Sequence, residues 1–314
     1  MSKPLLVAIL GPTATGKSAL ALAVAERFGG EIVNCDSTAV YRGFDIGTDK
    51  VPAAEQRGIP HHLIDIVDPD AEYTAAQFGR DAAEAIRGIH TRGRLPILAG
   101  GTGFYYRALT RGLFPGPGRD RATRDRLEAL AARRGPAALH RLLRRVDLPS
   151  AARIQPRDVK RMIRALEVYF LTGRPLTAHF ADTESPLPEF DVLPIGLRLP
   201  AVEISSRVER RVDEQFARGI LDEIRGLLAR GVPETARAFG GLVYRQALEH
   251  LHGVRDEAAT RALIAQRNRQ YARRQLIWFR KEPNLIWLDG PGDSPAAVAA
   301  ASRLIEGRLS APIP

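Results

Sequence analysis

Apolar positions along this chain follow two rhythms. Short continuous apolar runs bounded by glycine, turn or polar residues occur at PLLVAIL (4–10), EIVNCD (31–36), HHLIDIV (61–67), LPILAGG (95–101), VLPIGLRL (192–199) and NLIWL (284–288). Runs of this length predict buried strands. Between them, SALALAVAERF (18–28), YTAAQFGRDAAEAIRGIHTRG (73–93) and the stretches 202–230 and 260–280 read as helices. Strands alternating with helices imply an α/β fold whose mostly parallel sheet is covered on both faces. After Leu113 the rhythm changes: FPGPG (114–118) interrupts it, and from Arg119 to about Ser185 the chain reads as arginine-rich helices without a strand. The expected layout is an α/β core domain made of residues 1–113 and 193–314, with an all-helical insertion domain at 114–192.

Composition sharpens this picture. With 314 residues, 45% of them apolar, the chain can bury a full core, and its length suggests about two domains. Its 46 basic residues exceed its 36 acidic ones, and the excess is concentrated. Residues 119–164 carry a net +9, residues 261–281 hold seven basic residues and no acid, and the remainder sums to −6. Basic regions on a slightly acidic body suit a polyanion met at defined places; a solvated arginine-rich surface is the alternative. A single cysteine, Cys35, excludes an internal disulfide and a cysteine-rich zinc site and fits a reducing compartment. The run Leu5 to Leu10 is too short for a signal-peptide core or a membrane span, so a soluble cytoplasmic protein with no membrane partner is expected.

Three segments carry candidate chemistry. Gly11-Pro12-Thr13-Ala14-Thr15-Gly16-Lys17-Ser18 fits G-x-x-x-x-G-K-[ST] and lies between an expected strand and an expected helix, the context that a phosphate-binding P-loop requires. Backbone N–H groups and the helix N-terminus favour an anion, Lys17 adds a point charge, and Ser18 can ligate Mg2+. The pattern specifies a di- or triphosphate without saying which. Asp36-Ser37-Thr38 ends the second expected strand, where α/β sheets bind ligands; its carboxylate either takes a substrate proton, caps a helix or serves Mg2+. Gly100-Gly101-Thr102-Gly103 ends another strand, and Thr102 either bonds a leaving oxygen or sits in a tight turn. Cys35 is out of phase with Asp36 and is expected in the core.

The basic helices read two ways. In 157–169, Met162, Leu166 and Tyr169 recur at helical spacing, leaving Lys160, Arg161 and Arg164 to follow a nucleic-acid backbone or to pair with Asp158. Ile264, Tyr271 and Trp278 repeat every seven residues as core positions, while Arg267, Arg274 and Lys281 share another face that can meet phosphates. The chain has neither an Asn-Lys-x-Asp motif nor His and Cys at zinc-ligand spacing, and His61 and His62 read as structural residues on opposite faces of a strand.

Taken in order, GPTATGKS (11–18), DSTAVYRGFDIGT (36–48), DIVDP (65–69) followed by YTAAQF, GGTGFYYRAL (100–109), RALEVY (164–169), VYRQ (243–246) and RRQLIWFR (273–280) resemble the bacterial tRNA dimethylallyltransferases over nearly the whole chain. The resemblance implies a P-loop NTPase-like parallel sheet core and transfer of the dimethylallyl group from dimethylallyl diphosphate, with Mg2+, to N6 of the adenosine 3′-adjacent to the tRNA anticodon. It implies that residues 11–18 hold the diphosphate with Mg2+ on Ser18, that Asp36 accepts the N6 proton, and that Thr102 holds an oxygen of the leaving group. It further implies tRNA contacts at Asp36, Ser37, Thr38, Ala39, Thr102, Arg124, Lys160, Arg161, Met162, Ile163, Arg164, Gly240, Gly241, Leu242, Val243, Tyr244 and Arg245. Arg207 and Arg211, four apart on an expected helix, are further phosphate-contact candidates.

On this resemblance the insertion grips the anticodon stem, and one chain per tRNA fits a monomer. Two departures stand out: Val243 occupies a position where the family usually has glycine, and the chain ends soon after the last expected strand, without the zinc-finger extension of the eukaryotic relatives. A small-molecule P-loop kinase with Asp36 as base is the alternative, and it leaves the basic insertion without a purpose.

Overall fold

In the computed structural model, which describes residues 3–310, the chain divides into two compact units: residues 1–110 with 186–314, and residues 111–185. The first two and last four residues of the expected core domain lie outside the described residues. The sequence pattern sets the helical segment at 114–192. The second unit instead spans 111–185, because Leu187 and Phe190 pack in the core of the first unit and a strand already begins at Asp191.

The first unit opens with β1 (Leu5–Leu10), α1 (Lys17–Phe28), β2 (Gly30–Asn34), β3 (His61–His62), α2 (Ala75–Thr91), β4 (Leu95–Gly100) and α3 (Gly103–Thr110). The second holds α4 (Arg121–Arg134), α5 (Pro136–Val146), α6 (Leu148–Arg153) and α7 (Val159–Thr172). The chain then returns to the first as β5 (Asp191–Arg198), α8 (Ala201–Ala217), α9 (Ile220–Ala229), α10 (Tyr244–Leu251), α11 (Glu257–Phe279), β6 (Ile286–Asp289) and α12 (Pro295–Leu309).

All strand pairs are parallel, in the order β3-β2-β4-β1-β5-β6. Alternation along the central strand splits its side chains between two cores. Leu6, Ala8 and Leu10 pack with Phe78, Ile86 and Tyr105 of α2 and α3, whereas Val7 and Ile9 pack with Leu20 and Val24 of α1 and Ile305 of α12. A third cluster joins Val40 and Phe44, from the segment after β2, to Val212, Ile224, Tyr244 and Ile264 of the later helices.

The expected strand at 61–67 shrinks to two residues. Leu63 and Asp65 take positive φ (61° and 55°), which ends the extended pairing. The sequence reading omits α12, although Ser294 caps it through the Ala297 N–H and Pro295 stands in its first turn.

In the second unit, Leu127, Leu139, Leu143, Met162 and Leu166 form the core shared by α4, α5 and α7. Three acids of this basic segment are helix caps: Asp120 accepts from Thr123 N, Asp147 from Ser150 N and Asp158 from Arg161 N.

Candidate active site

Strand register explains why three short segments meet. Leu10 pairs with Gly100 on one side and Gly196 on the other, and Asn34 pairs with Ala99. The strands therefore end together, and residues 11–18, 35–39 and 101–103 leave the sheet at its carboxyl edge, where open α/β sheets hold ligands. A cavity of about 380 Å3 opens there, with Lys17, Ser18, Asp36, Asp49, Arg210 and Arg211 in its wall.

The phosphate loop is poised for an anion. Gly16, left-handed at φ 84°, starts α1 without a side-chain cap, leaving first-turn N–H groups for a ligand. The Lys17 ammonium donates to the Pro12 carbonyl at 2.6 Å, and burial together with the nearby Arg211 guanidinium brings it down to about 8. Arg211 reaches over from α8, donating to Thr13 Oγ1 at 2.8 Å and pairing with Asp49 at 3.1 Å. Burial raises the Asp49 carboxyl. Arg207, also in the wall, is held by Asp293 at 3.1 Å and Glu203 at 3.2 Å.

Asp36 is fixed on one side only. Its Oδ1 accepts from Thr38 N at 2.8 Å and Thr38 Oγ1 at 2.6 Å, while Oδ2 has no hydrogen-bond partner among the described residues. The Ser37 N–H donates to Thr102 Oγ1 at 3.1 Å, joining the second and third segments. Tyr271 stands beside this pair; burial and the Asp36 charge push its phenol up to about 12, against the Thr102 hydroxyl. Cys35 is fully buried, and that burial raises its thiol, so the core placement holds.

Ser18 is exposed at the first turn of α1, and the Asp36 carboxylate lines the same cavity. Hard oxygen donors with room for phosphate oxygens and water fit Mg2+. Among the described residues, no three His, Cys, Asp or Glu side chains gather to hold a metal by themselves. His61 reaches the cavity wall, while His62 pairs with Glu31 at 2.7 Å.

Several of the expected RNA contacts have no surface to offer. Ala39 is buried, as are Met162 and Ile163 in the helical core and Val243 and Tyr244 in the first unit. Arg124 and Arg164 are committed to Glu167, a fully buried carboxylate that they meet at 2.7 Å each. Lys160 and Arg161 are exposed, Arg161 with 77% of its side chain accessible. Gly240 and Arg245 are exposed as well, and Gly241 and Leu242 are half-buried.

Tyr244 instead shapes the 45–48 turn: its hydroxyl donates to Glu223 and accepts from the Gly47 N–H at 3.0 Å, and its ring meets Phe44 at 4.7 Å. Val243, which departs from the family glycine, has φ 74° and ψ −66°, with Tyr244 N bonded back to Leu242 O. That tight three-residue turn is strained for a β-branched side chain.

Sequence patterning gave no role to Asp49, Arg210 or Gln275. Asp49 and Arg210 have no local signal. Gln275 lies three and four positions from the seam residues Trp278 and Tyr271, which was the available sign that it faces inward.

An IPP transferase family model matches residues 39–282. A tRNA dimethylallyltransferase from Solibacter usitatus is 52% identical over 293 residues, 92% of this chain and 94% of that one. One from Geobacter metallireducens is 48% identical, again over 92% and 94% of the two chains. Among solved structures, the tRNA isopentenylpyrophosphate transferase from Bacillus halodurans aligns over 98% of this chain and 97% of its own, with 37% identity and a TM-score of 0.72. A eukaryotic dimethylallyltransferase acting on tRNA aligns over 99% of this chain and 81% of its own, with 29% identity and a TM-score of 0.82.

Proposed function

The chain belongs to the IPP transferase family and is a tRNA dimethylallyltransferase, and we propose that it moves the five-carbon group of dimethylallyl diphosphate to N6 of the adenosine 3′-adjacent to the anticodon, releasing diphosphate. One observation carries this reading: the half-free carboxylate of Asp36 lines the cavity of the phosphate loop. Of the strands flanking β1, β4 ends in Gly100, and β5 passes Leu10 at Gly196 and ends in Arg198. Neither offers the aspartate with which P-loop NTPases hold the metal of a nucleoside triphosphate, which disfavours the kinase alternative.

In the reaction, Asp36 Oδ2 takes the N6 proton as N6 bonds to the donor's first carbon and the carbon–oxygen bond to diphosphate breaks. The exocyclic amine is a weak nucleophile, so holding it in line with the leaving group supplies much of the rate. Lys17, Arg211 and the first-turn N–H groups of α1 stabilise the charge that grows on the diphosphate. Thr102 Oγ1 accepts from Ser37 N, and its own hydrogen, which faces Ser37 Oγ at 3.5 Å, would turn to a leaving oxygen. Ser18 would hold Mg2+, which would supply further neutralisation of that charge.

The target base must leave its stack, at a cost of a few kcal/mol. Exposed Lys160 and Arg161, with Gly240 and Arg245, are the RNA-facing surface in this reading, and the helical unit grips the anticodon stem of a tRNA held by one chain. No helix among the described residues is long and apolar enough to cross a membrane. Incubation with labelled dimethylallyl diphosphate and an unmodified anticodon stem-loop is the test. Label on the RNA is the expected result; ATP turnover without RNA labelling would overturn the reading.

A further inference from the structure

Helix α11 contributes more to the site than a basic surface. Tyr271, Gln275 and Trp278, spaced four and three apart, share one face, and Glu282 follows just past the helix end. Each meets a different point of the segment after β4. Gln275 is only 6% exposed, and its amide is bonded at both ends: Oε1 accepts from the Thr13 N–H at 2.8 Å and Nε2 donates to the Gly101 carbonyl at 2.9 Å. One partner belongs to the phosphate loop and the other to the turn that carries Thr102. The fit has no slack, since a Cβ on Gly101 would come within 2.3 Å of Nε2.

The neighbouring contacts reinforce this template. The Trp278 ring lies so close to Gly103 that a Cβ there would fall 2.2 Å from it. Arg107 stacks over the same ring at 4.9 Å and pairs with Glu282 at 2.8 Å.

We propose that Gln275 is a positioning residue for the transfer, its amide setting the separation between the loop that holds the leaving diphosphate and the turn that holds Thr102. Both of its hydrogen-bonding ends are engaged within the protein, so it acts through the loops rather than through the RNA. Only an amide of this length accepts from one loop while donating to the other; glutamate keeps the first bond and opposes the Gly101 carbonyl. An in-line displacement depends steeply on such spacing, with a misplacement of about 1 Å costing on the order of a hundredfold. RNA affinity, set by exposed cations, does not.

This inference rests on the donor site proposed above. Single-turnover transfer at saturating dimethylallyl diphosphate and anticodon stem-loop, RNA affinity and thermal melting are measured for the wild type, Gln275→Glu, Gln275→Ala, Gly101→Ala and the double variant Gly101→Ala/Gln275→Ala. RNA labelling by the wild type tests the donor site separately. The rate is expected to fall about tenfold or more in each single variant, with RNA affinity within about twofold. The double variant is expected to be no slower than the slower single one, because both substitutions disturb one contact. The proposal is overturned if Gln275→Glu, which is nearly isosteric and keeps the fold, transfers at the wild-type rate. It is equally overturned if RNA affinity falls in step with the rate, or if the two losses multiply.

Discussion

Replacing Glu167 separates the arginines that build the helical unit from those that face outward. Glu167 Oε1 accepts from Arg124 Nε at 2.7 Å and from the Asp120 N–H at 2.8 Å, while Oε2 accepts from Arg124 Nη2 at 2.8 Å and Arg164 Nη1 at 2.7 Å. Burial pushes this carboxyl up, but the bonds from Arg124 and Arg164 prevail and hold it at about 2, below the ordinary 4.5. At roughly 1.36 kcal/mol per pH unit, the ionised form contributes about 3 kcal/mol at neutral pH. The folded value is the lower one, so this contribution is complete well above pH 4.5 and is lost as pH falls toward 2; about 2 kcal/mol of it is gone at pH 3. Glu167→Gln keeps the shape and removes the charge. Hydrogen exchange of α7 amides should show a wild-type advantage of about 3 kcal/mol at pH 7 that shrinks to about 1 kcal/mol at pH 3. A gap under about 0.5 kcal/mol at pH 7, or one that does not shrink with acid, would refute the buried clamp.

Three other perturbations address the proposed reaction. Asp36→Ala should lower the single-turnover rate by about 10^2 to 10^4 while RNA affinity holds; parallel losses in rate and affinity would remove Asp36 from proton transfer. Because Lys17 sits at about 8 before the donor binds and is held charged by the diphosphate afterwards, donor affinity should be flat below pH 8 and weaken above it, by about tenfold per unit at the limit. In titrations from pH 7 to 9.5, Lys17→Arg should abolish that dependence; its persistence would assign it to another group. Arg161→Ala should reduce the slope of log RNA affinity against log salt by about one unit, whereas Arg124→Ala should destabilise α4 and α7 and leave the slope nearly intact. Equal slopes for wild type and Arg161→Ala would leave Arg161 a solvated side chain.

What the sequence revealed was local, and what it concealed was the choice of partners. The phosphate loop, Asp36 and Thr102 could be placed together because each ends a short apolar run, and parallel strands in register finish at one edge. The arginine clamp could not be foreseen, since Glu167 turns inward only when α4 packs against α7 and brings Arg124 to it. Met162 is a different case: its helical spacing points it into the core of the helical unit, where it is buried, so burial separates it from exposed Lys160 and Arg161 within the stretch 160–164. Within 240–245, which the family resemblance assigns to RNA, the Tyr244 ring packs against Phe44 and its hydroxyl holds the 45–48 turn. That turn leads to Asp49, which pairs with Arg211, which bonds Thr13 in the phosphate loop. A motif shared with a family therefore marks two kinds of residue, those that meet the substrates and those that hold the former in place, and burial tells them apart. By that criterion Tyr244, Glu167 and Gln275 are held inside the protein, and Arg161, Arg245 and the free oxygen of Asp36 are the groups left open to the substrates of the proposed reaction.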